Sequence, residues 1–370
     1  MMDPTTDLLP EGLEDRLPQS AAAAARIERE AMAVMRAHGF DRVRPPLIEF
    51  EKSMAARMDG LMTRAMFRFV DPKSLRTLAL RSDMTAQVGR IAATGLGGAA
   101  RPLRLCYAGQ VVKIAGDQLE PRRENLQIGA ELIGNDSAAA AGEMVELAIT
   151  ALEAAGATGI SVDFTLPDLV DTLAAEAFPL APEQREAVRR ELDAKDAGGL
   201  KEAGGAAYLP LLFATGPFAE AAAKLEAIDA AGVLDSRIDA LRQIAARVEG
   251  RARLTLDPSE RHGFEYQTWF GFTLYAQGVR GALGRGGTYR IGGTDEAATG
   301  FSLYPEELIE AVKAQEALGD KLFLPLGHDR VVAASLRAQG WRTVEALSDA
   351  DDAVALGCTH VLDGGAPHAL

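Results

Sequence analysis

Ten residues, "NLQIGAELIG" (125–134), constrain this chain more than any other stretch. Their alternation puts Leu126, Ile128, Ala130 and Leu132 on one side of an extended backbone and Asn125, Gln127, Gly129 and Glu131 on the other, the period of two that marks a β-strand. A half-buried antiparallel strand turns its apolar row to the core and usually offers the polar row to water. An amide and a carboxylate, with a glycine between them that clears space, also suit the wall of a pocket. On these ten residues the solvent-facing reading is the default, and the rest of the chain has to decide.

Neighbouring segments supply the strand's surroundings. "RLCYAGQVVK" (104–113) has strand composition, and Gly116-Asp117 lies in the loop joining the two stretches. "FRFVD" (67–71) and "TLALR" (77–81) read as shorter strands, while "FDRVRPPLIEF" (40–50) is extended because consecutive prolines exclude helix. Upstream, Ser20 is placed to cap a helix in which Ala24, Ile27, Ala31, Val34 and Met35 recur at three- and four-residue steps, and Gly39 stands at its stop. "SAAAAGEMVELAITALEAAG" (137–156) is a further helix ending on glycine, followed by the strand "ISVDFTL" (160–166). Antiparallel-type strands with a helix at each flank predict an α+β domain.

From Pro167 to Val248 the pattern changes to Ala-, Glu- and Leu-rich helical segments. Sheet patterning resumes at "RLTLDP" (253–258), continues through "TWFGFTLYA" (268–276) and reaches "GFSLYPEELIEAV" (300–312), a strand feeding a helix. The expected organisation is therefore one core formed by 1–166 and 249–315, a helical insertion over 167–248, and a small βαβαβ domain over 316–370. Ser348 and Asp351 have capping-box spacing for the second helix of that last segment.

Several function classes are disfavoured at this point. A net charge of −14 opposes the counterion-release attraction that dominates nucleic-acid affinity. No apolar run reaches the roughly 20 residues that span a bilayer, and the first ten residues lack a secretion signal, so a cytoplasmic protein without membrane contact is expected. Cys106 and Cys358 form no C-x-x-C pair and are expected to be small core residues. His38, His262, His328, His360 and His368 show no metal-ligand spacing. The glycine-rich "GRGGTYRIGG" (284–293) lacks the lysine and hydroxyl of a phosphate loop and reads as tight turns between strands. No catalytic residue, metal or cofactor is expected.

In order along the chain, "GFDRVRPPLIEF", "LRSDMTAQ" (80–87), "CYAGQVVK" with "RRENLQIGAELIG", "HGFEYQT" (262–268), "GRGGTYR" and "GFSLYPEEL" resemble the successive motifs of a histidyl-tRNA synthetase catalytic domain, over residues 8 to 312. The resemblance implies a class II aminoacyl-tRNA synthetase-like fold, an antiparallel sheet flanked by helices. It also implies a histidine pocket. Asp83, Thr85 and Gln127 match the ammonium ligands, Glu131 the carboxylate that holds the imidazole, and Tyr266 and Tyr289 pocket tyrosines. Lys113, at the place of an arginine that holds the ATP α-phosphate, is included in the candidate site. An ammonium and a ring N–H are both donors, so an acceptor-bearing wall suits such a ligand.

The departures from the family pattern concern nucleotide and tRNA. Lys113-Ile114-Ala115 replaces an R-x-E pair, residues 262–267 replace a run that carries an activating arginine, with Gln267 in place of a tyrosine, and Glu307 stands where an arginine clamps the nucleotide. The tail is short for an anticodon-binding domain. A chain that keeps the amino-acid pocket and loses ATP and tRNA handling resembles the regulatory subunits of ATP phosphoribosyltransferase, which are synthetase paralogues. That resemblance implies a non-catalytic protein of histidine biosynthesis, which dimerises through Gly39 to Ser53. It would join the short catalytic subunit in a hetero-octamer, respond to L-histidine as effector and bind no tRNA. Two alternatives stay open: a divergent synthetase or amino-acid-activating paralogue, and a scaffold whose pocket is neutralised from within by an arginine such as Arg123.

Overall fold

Helix α1 (Pro18–Ala37) begins three residues earlier than expected. Proline needs no N–H partner in a first helical turn and its φ is already helical, so Pro18 starts the helix with Leu17 at the N-cap. Ser20 lies inside, its Oγ 3.5 Å from Glu310. The helix buries Ala23, Ile27, Ala31, Met32 and Met35. Gly39 then takes a left-handed φ of +81° and the Phe40 N–H returns to the Met35 carbonyl, which stops the helix at the glycine. These coordinates are a computed structural model that describes residues 8–56, 65–116, 121–261, 267–315 and 319–370.

Two short strands follow, β1 (Asp41–Arg42) and β2 (Ile48–Phe50), then helix α2 (Glu51–Ala55), β3 (Arg68–Val70) and β4 (Thr77–Leu80). β2, β4 and β3 form a separate three-stranded antiparallel sheet. The register Ile48↔Leu80 and Phe50↔Leu78↔Phe69 gives this sheet an apolar face, on which Ile48 and Phe69 are each 41% exposed.

Helix α3 (Thr85–Ala93) leads to β5 (Leu103–Val112) and β6 (Glu124–Ile133), paired antiparallel from Leu103↔Ile133 to Val112↔Glu124. Helix α4 (Ala138–Ala155) is capped by Ser137, whose Oγ accepts the Ala140 N–H, and is followed by β7 (Ser161–Thr165). Residues 167–248 are mainly helical: α5 (Leu169–Glu176), α6 (Pro182–Asp193), α7 (Ala197–Glu202), a 3₁₀ segment (Ala206–Phe213), α8 (Phe218–Ile228) and α9 (Asp235–Arg247). Val188, Leu225 and Ile238 of this region share one apolar core with Ile128, Phe270 and Phe301.

The chain returns to the sheet through β9 (Arg253–Leu256), on whose edge the two-residue β8 (Gly216–Pro217) pairs, then β10 (Gln267–Tyr275), β11 (Gly284–Ile291), β12 (Glu296–Leu303) and helix α10 (Glu306–Val312). The main sheet has nine strands in the order β1-β5-β6-β12-β11-β10-β7-β9-β8. Its central six strands are antiparallel, and among the described residues the parallel pairs are β1/β5 and β7/β9. This is the predicted α+β architecture, an antiparallel sheet flanked by helices. The glycine-rich segment 284–293 differs from its reading as turns, because residues 284–291 are a strand. Its glycines serve close packing instead: a Cβ on Gly286 would meet the Phe272 ring and the Gly300 carbonyl.

Contacts divide the chain into Met1–Val312 and Lys313–Leu370. The second unit contains β13 (Lys321–Leu324), α11 (Arg330–Ala338), β14 (Arg342–Glu345), β15 (His360–Asp363) and β16 (Ala366–Ala369), in the order β14-β13-β15-β16. The second helix of a βαβαβ unit is replaced by turns, and β16 is added antiparallel to β15. Asp351 does make the capping-box bond, its carboxylate accepting the amides of Leu347 (2.5 Å) and Ser348 (3.0 Å) and the Ser348 hydroxyl (3.0 Å), yet the residues that follow form turns. Both cysteines are buried and free, and burial pushes the Cys106 thiol up to about 11. Among the described residues no helix is long and apolar enough to cross a membrane.

Candidate functional site

Strand β6 is buried on both faces, so its polar row points into the protein. Gln127 is 0% exposed and Glu131 1%. Glu131 lies between Leu105 of β5 and Gly300 of β12, and Gly129 between Tyr107 and Ser302. Gly129 is glycine for reasons of space: a Cβ there would strike the Tyr107 ring and the Phe301 carbonyl. Gly300 leaves room in the same way for the Glu131 carboxylate.

These residues form one hydrogen-bonded chain. The Tyr107 hydroxyl donates to Glu131 Oε1 at 2.9 Å and the Tyr289 hydroxyl donates to Oε2 at 2.8 Å. The Tyr107 oxygen is also 3.2 Å from both Ser302 Oγ and Thr85 Oγ1. Gln127 Nε2 donates to Ser302 Oγ and to Asp83 Oδ2, each at 2.8 Å, and its Oε1 accepts the Met84 N–H at 2.9 Å. Asp83 Oδ1 accepts the Thr85 N–H at 2.6 Å, and the Tyr304 hydroxyl donates to Oδ2 at 3.3 Å. Asp83, Thr85, Gln127, Glu131 and Tyr289 are thus brought together.

A small cavity opens on this network. Thr85, Glu131, Gln267, Arg285, Tyr289 and Ser302 line it, with Gly286, Gly287 and Gly300 giving it width, while Asp83 and Gln127 stand behind the wall. Burial pushes Glu131 up to about 8; the hydroxyls of Tyr289 and Tyr107 hold it down and the nearby Asp83 raises it further. Burial, then Glu131 and Asp83, pushes the Tyr107 hydroxyl well above the usual tyrosine range. A neutral or easily ionised carboxyl flanked by two phenols suits a ligand that brings an N–H or a cation.

Lys113 lies apart from this group. It follows the end of β5, where its N–H donates to the Arg123 carbonyl at 2.8 Å, and it does not line the cavity. Tyr266 falls outside the described residues. Tyr107, Ser302, Tyr304 and Arg285 are additions that sequence reasoning missed. Tyr107 left a signal, since a bulky residue on the partner strand faces the glycine of the polar row. Arg123 is not the internal counter-ion of Glu131: its Nη1 donates to the Glu11 carbonyl at 3.1 Å and its guanidinium sits 4.9 Å from the Phe67 ring centre. At the start of α10, Glu307 accepts from Arg122 Nη1 at 2.9 Å, and Arg122 Nε donates to Glu14 at 2.8 Å. Helix α3 carries Thr85 at one end, and further along it Gln87 and Arg90 both donate to the Glu49 carboxylate of β2. Among the described residues no group of His, Cys, Asp and Glu could hold a metal.

This sheet and this buried acid–amide wall define a class II synthetase-like protein of the histidyl type, and the family model described as histidyl-tRNA synthetase matches residues 12–308. A solved structure from Bacillus halodurans, described as an ATP phosphoribosyltransferase regulatory subunit/histidyl-tRNA synthetase, shares the fold with a TM-score of 0.80 at 24% identity, covering 96% of this chain and 97% of that one. The ATP phosphoribosyltransferase regulatory subunit of Rhodospirillum centenum is 41% identical over 374 residues, covering 98% of this chain and 96% of its own. That of Paramagnetospirillum magneticum is 42% identical over 365 residues, covering 96% of each. Within the histidyl class, the chain belongs to the family of ATP phosphoribosyltransferase regulatory subunits.

Proposed function

We propose that this chain is a non-catalytic regulatory subunit that assembles with the short catalytic subunit of ATP phosphoribosyltransferase. It is required for that enzyme's activity at the first step of histidine biosynthesis, and it confers feedback inhibition by binding L-histidine in the cavity beside Glu131. The observation that carries the reading is the continuous network from Asp83 through Gln127, Ser302 and Tyr107 to Glu131 and Tyr289. Inhibition then requires histidine to bind the inhibited arrangement of the complex more tightly than the active one.

The synthetase alternative would have to work without the arginines that the resemblance assigns to nucleotide binding, Lys113 standing at one of them. Glu307, at the position of the clamping arginine, is paired with Arg122, and a carboxylate there repels polyphosphate. The net charge of −14 argues in the same direction for tRNA. The exposed apolar face around Ile48 and Phe69 supports a homodimer through Gly39 to Ser53, placed within a cytoplasmic hetero-octamer.

The test is calorimetric titration of the full-length chain with L-histidine and, separately, with ATP, followed by assay of the catalytic subunit with and without the chain. Saturable histidine binding, no ATP binding, and catalytic activity that depends on the chain and falls with histidine support the proposal. Histidine-dependent exchange of pyrophosphate into ATP overturns it in favour of the synthetase.

A further inference from the structure

We infer that Arg285 is the carboxylate anchor of the cavity and so makes the pocket selective for an intact amino acid over its decarboxylated analogue. The inference rests on reading the cavity as an amino-acid site and deepens that reading. Among the described residues lining the cavity, Glu131 is the one carboxylate and Arg285 the one cation. They lie on neighbouring parts of one surface: Arg285 pairs with Ser302 across β11/β12, and Ser302 pairs with Gly129 of β6. Along β11, Arg285 is four residues from Tyr289, the donor to Glu131, a separation of about 13 Å between Cα atoms.

The stretch between the two side chains is kept clear at Gly287 and Gly300. A Cβ on Gly287 would meet the Phe270 carbonyl and Gln267 Nε2, and one on Gly300 the Glu131 carboxylate. A zwitterion whose donors face Glu131 and Thr85 needs a partner for its own carboxylate, because an unpaired buried anion is costly. Among the described residues the rest of the lining offers that carboxylate no other cation. A guanidinium presents the paired N–H groups that fit a carboxylate. The buried Arg81 does not compete for this role: it donates to the carbonyls of Gln110 (2.7 Å) and Pro45 (3.0 Å) and does not line the cavity.

The experiment is calorimetry of the full-length chain, wild type, Arg285→Gln and Arg285→Lys, titrated with L-histidine and with histamine, which lacks the carboxylate. The wild type should prefer histidine. In Arg285→Gln histidine affinity should fall about 10- to 100-fold with histamine affinity unchanged, and Arg285→Lys should recover part of the loss. Equal weakening of both ligands would give Arg285 a merely structural role and overturn the assignment, as would histidine binding that ignores the substitution. Histamine bound by the wild type as tightly as histidine sinks the anchor alone, whereas failure of the wild type to bind either ligand sinks the amino-acid reading with it.

Discussion

The Glu131 carboxylate lies over Gly300 of the intervening strand β12 and there accepts the Tyr289 hydroxyl at 2.8 Å. This placement is possible only because β12 has no side chain at that point. Gly300→Ala would set a methyl group against the Glu131 carboxylate. Histidine affinity is expected to fall at least about 10-fold, with a stability loss of about 1–3 kcal/mol from overpacking, read by calorimetry and urea unfolding.

Glu131→Ala should abolish the histidine sensitivity of the assembled enzyme while leaving the complex intact, since Glu131 is buried in the pocket wall. Size-exclusion chromatography with the catalytic subunit and inhibition curves check the two halves separately. Loss of assembly would assign Glu131 a structural role instead.

Burial raises the Glu131 carboxyl from 4.5 to about 8. Between these values the folded protein holds a proton that the unfolded chain has released, so this group's contribution to stability falls as pH rises. The slope is at most about 1.4 kcal/mol per pH unit. Glu260 is pushed up to about 7 by burial and by Asp257, and acts in the same direction. The diagnostic is therefore the difference from Glu131→Gln: across pH 5 to 8 the wild type should lose stability relative to the variant. A difference that stays flat would mean the carboxyl titrates normally.

The two ion pairs at the start of α10 should behave differently. Glu306, 7% exposed, accepts from Arg16 at 2.5 Å and from the Leu126 N–H at 2.6 Å. Glu306→Ala leaves both donors without this partner, and a loss of about 2–4 kcal/mol is expected. Arg122 joins the more exposed Glu14 and Glu307, so Arg122→Ala should change stability by no more than about 1 kcal/mol. Thermal unfolding of the two variants tests the ranking.

The sequence made the β5/β6 pair legible because period-two patterning is local, and the expected and observed strands differ by about one residue at each end. The direction in which the polar row faces was not local information. It depends on β12 and α3, far away in sequence, covering Gln127 and Glu131. The strand 284–291 escaped because glycine commonly marks turns, whereas here glycines allow close packing between neighbouring strands. The missing helix near Ser348 failed for the opposite reason: the capping spacing and the bond from the Ser348 amide to Asp351 are both present, but a cap marks only where a helix can start and turns follow it. Tyr107 and Ser302 could be placed beside Glu131 only once strand register was known.

Helix α3 has one further consequence. Its first residue, Thr85, lies at the cavity, and Gln87 and Arg90 grip Glu49 on the small apolar sheet. Gln87 and Arg90 lie only two and five residues from Thr85, so the cavity wall and the exposed sheet are both fastened to the same short helix.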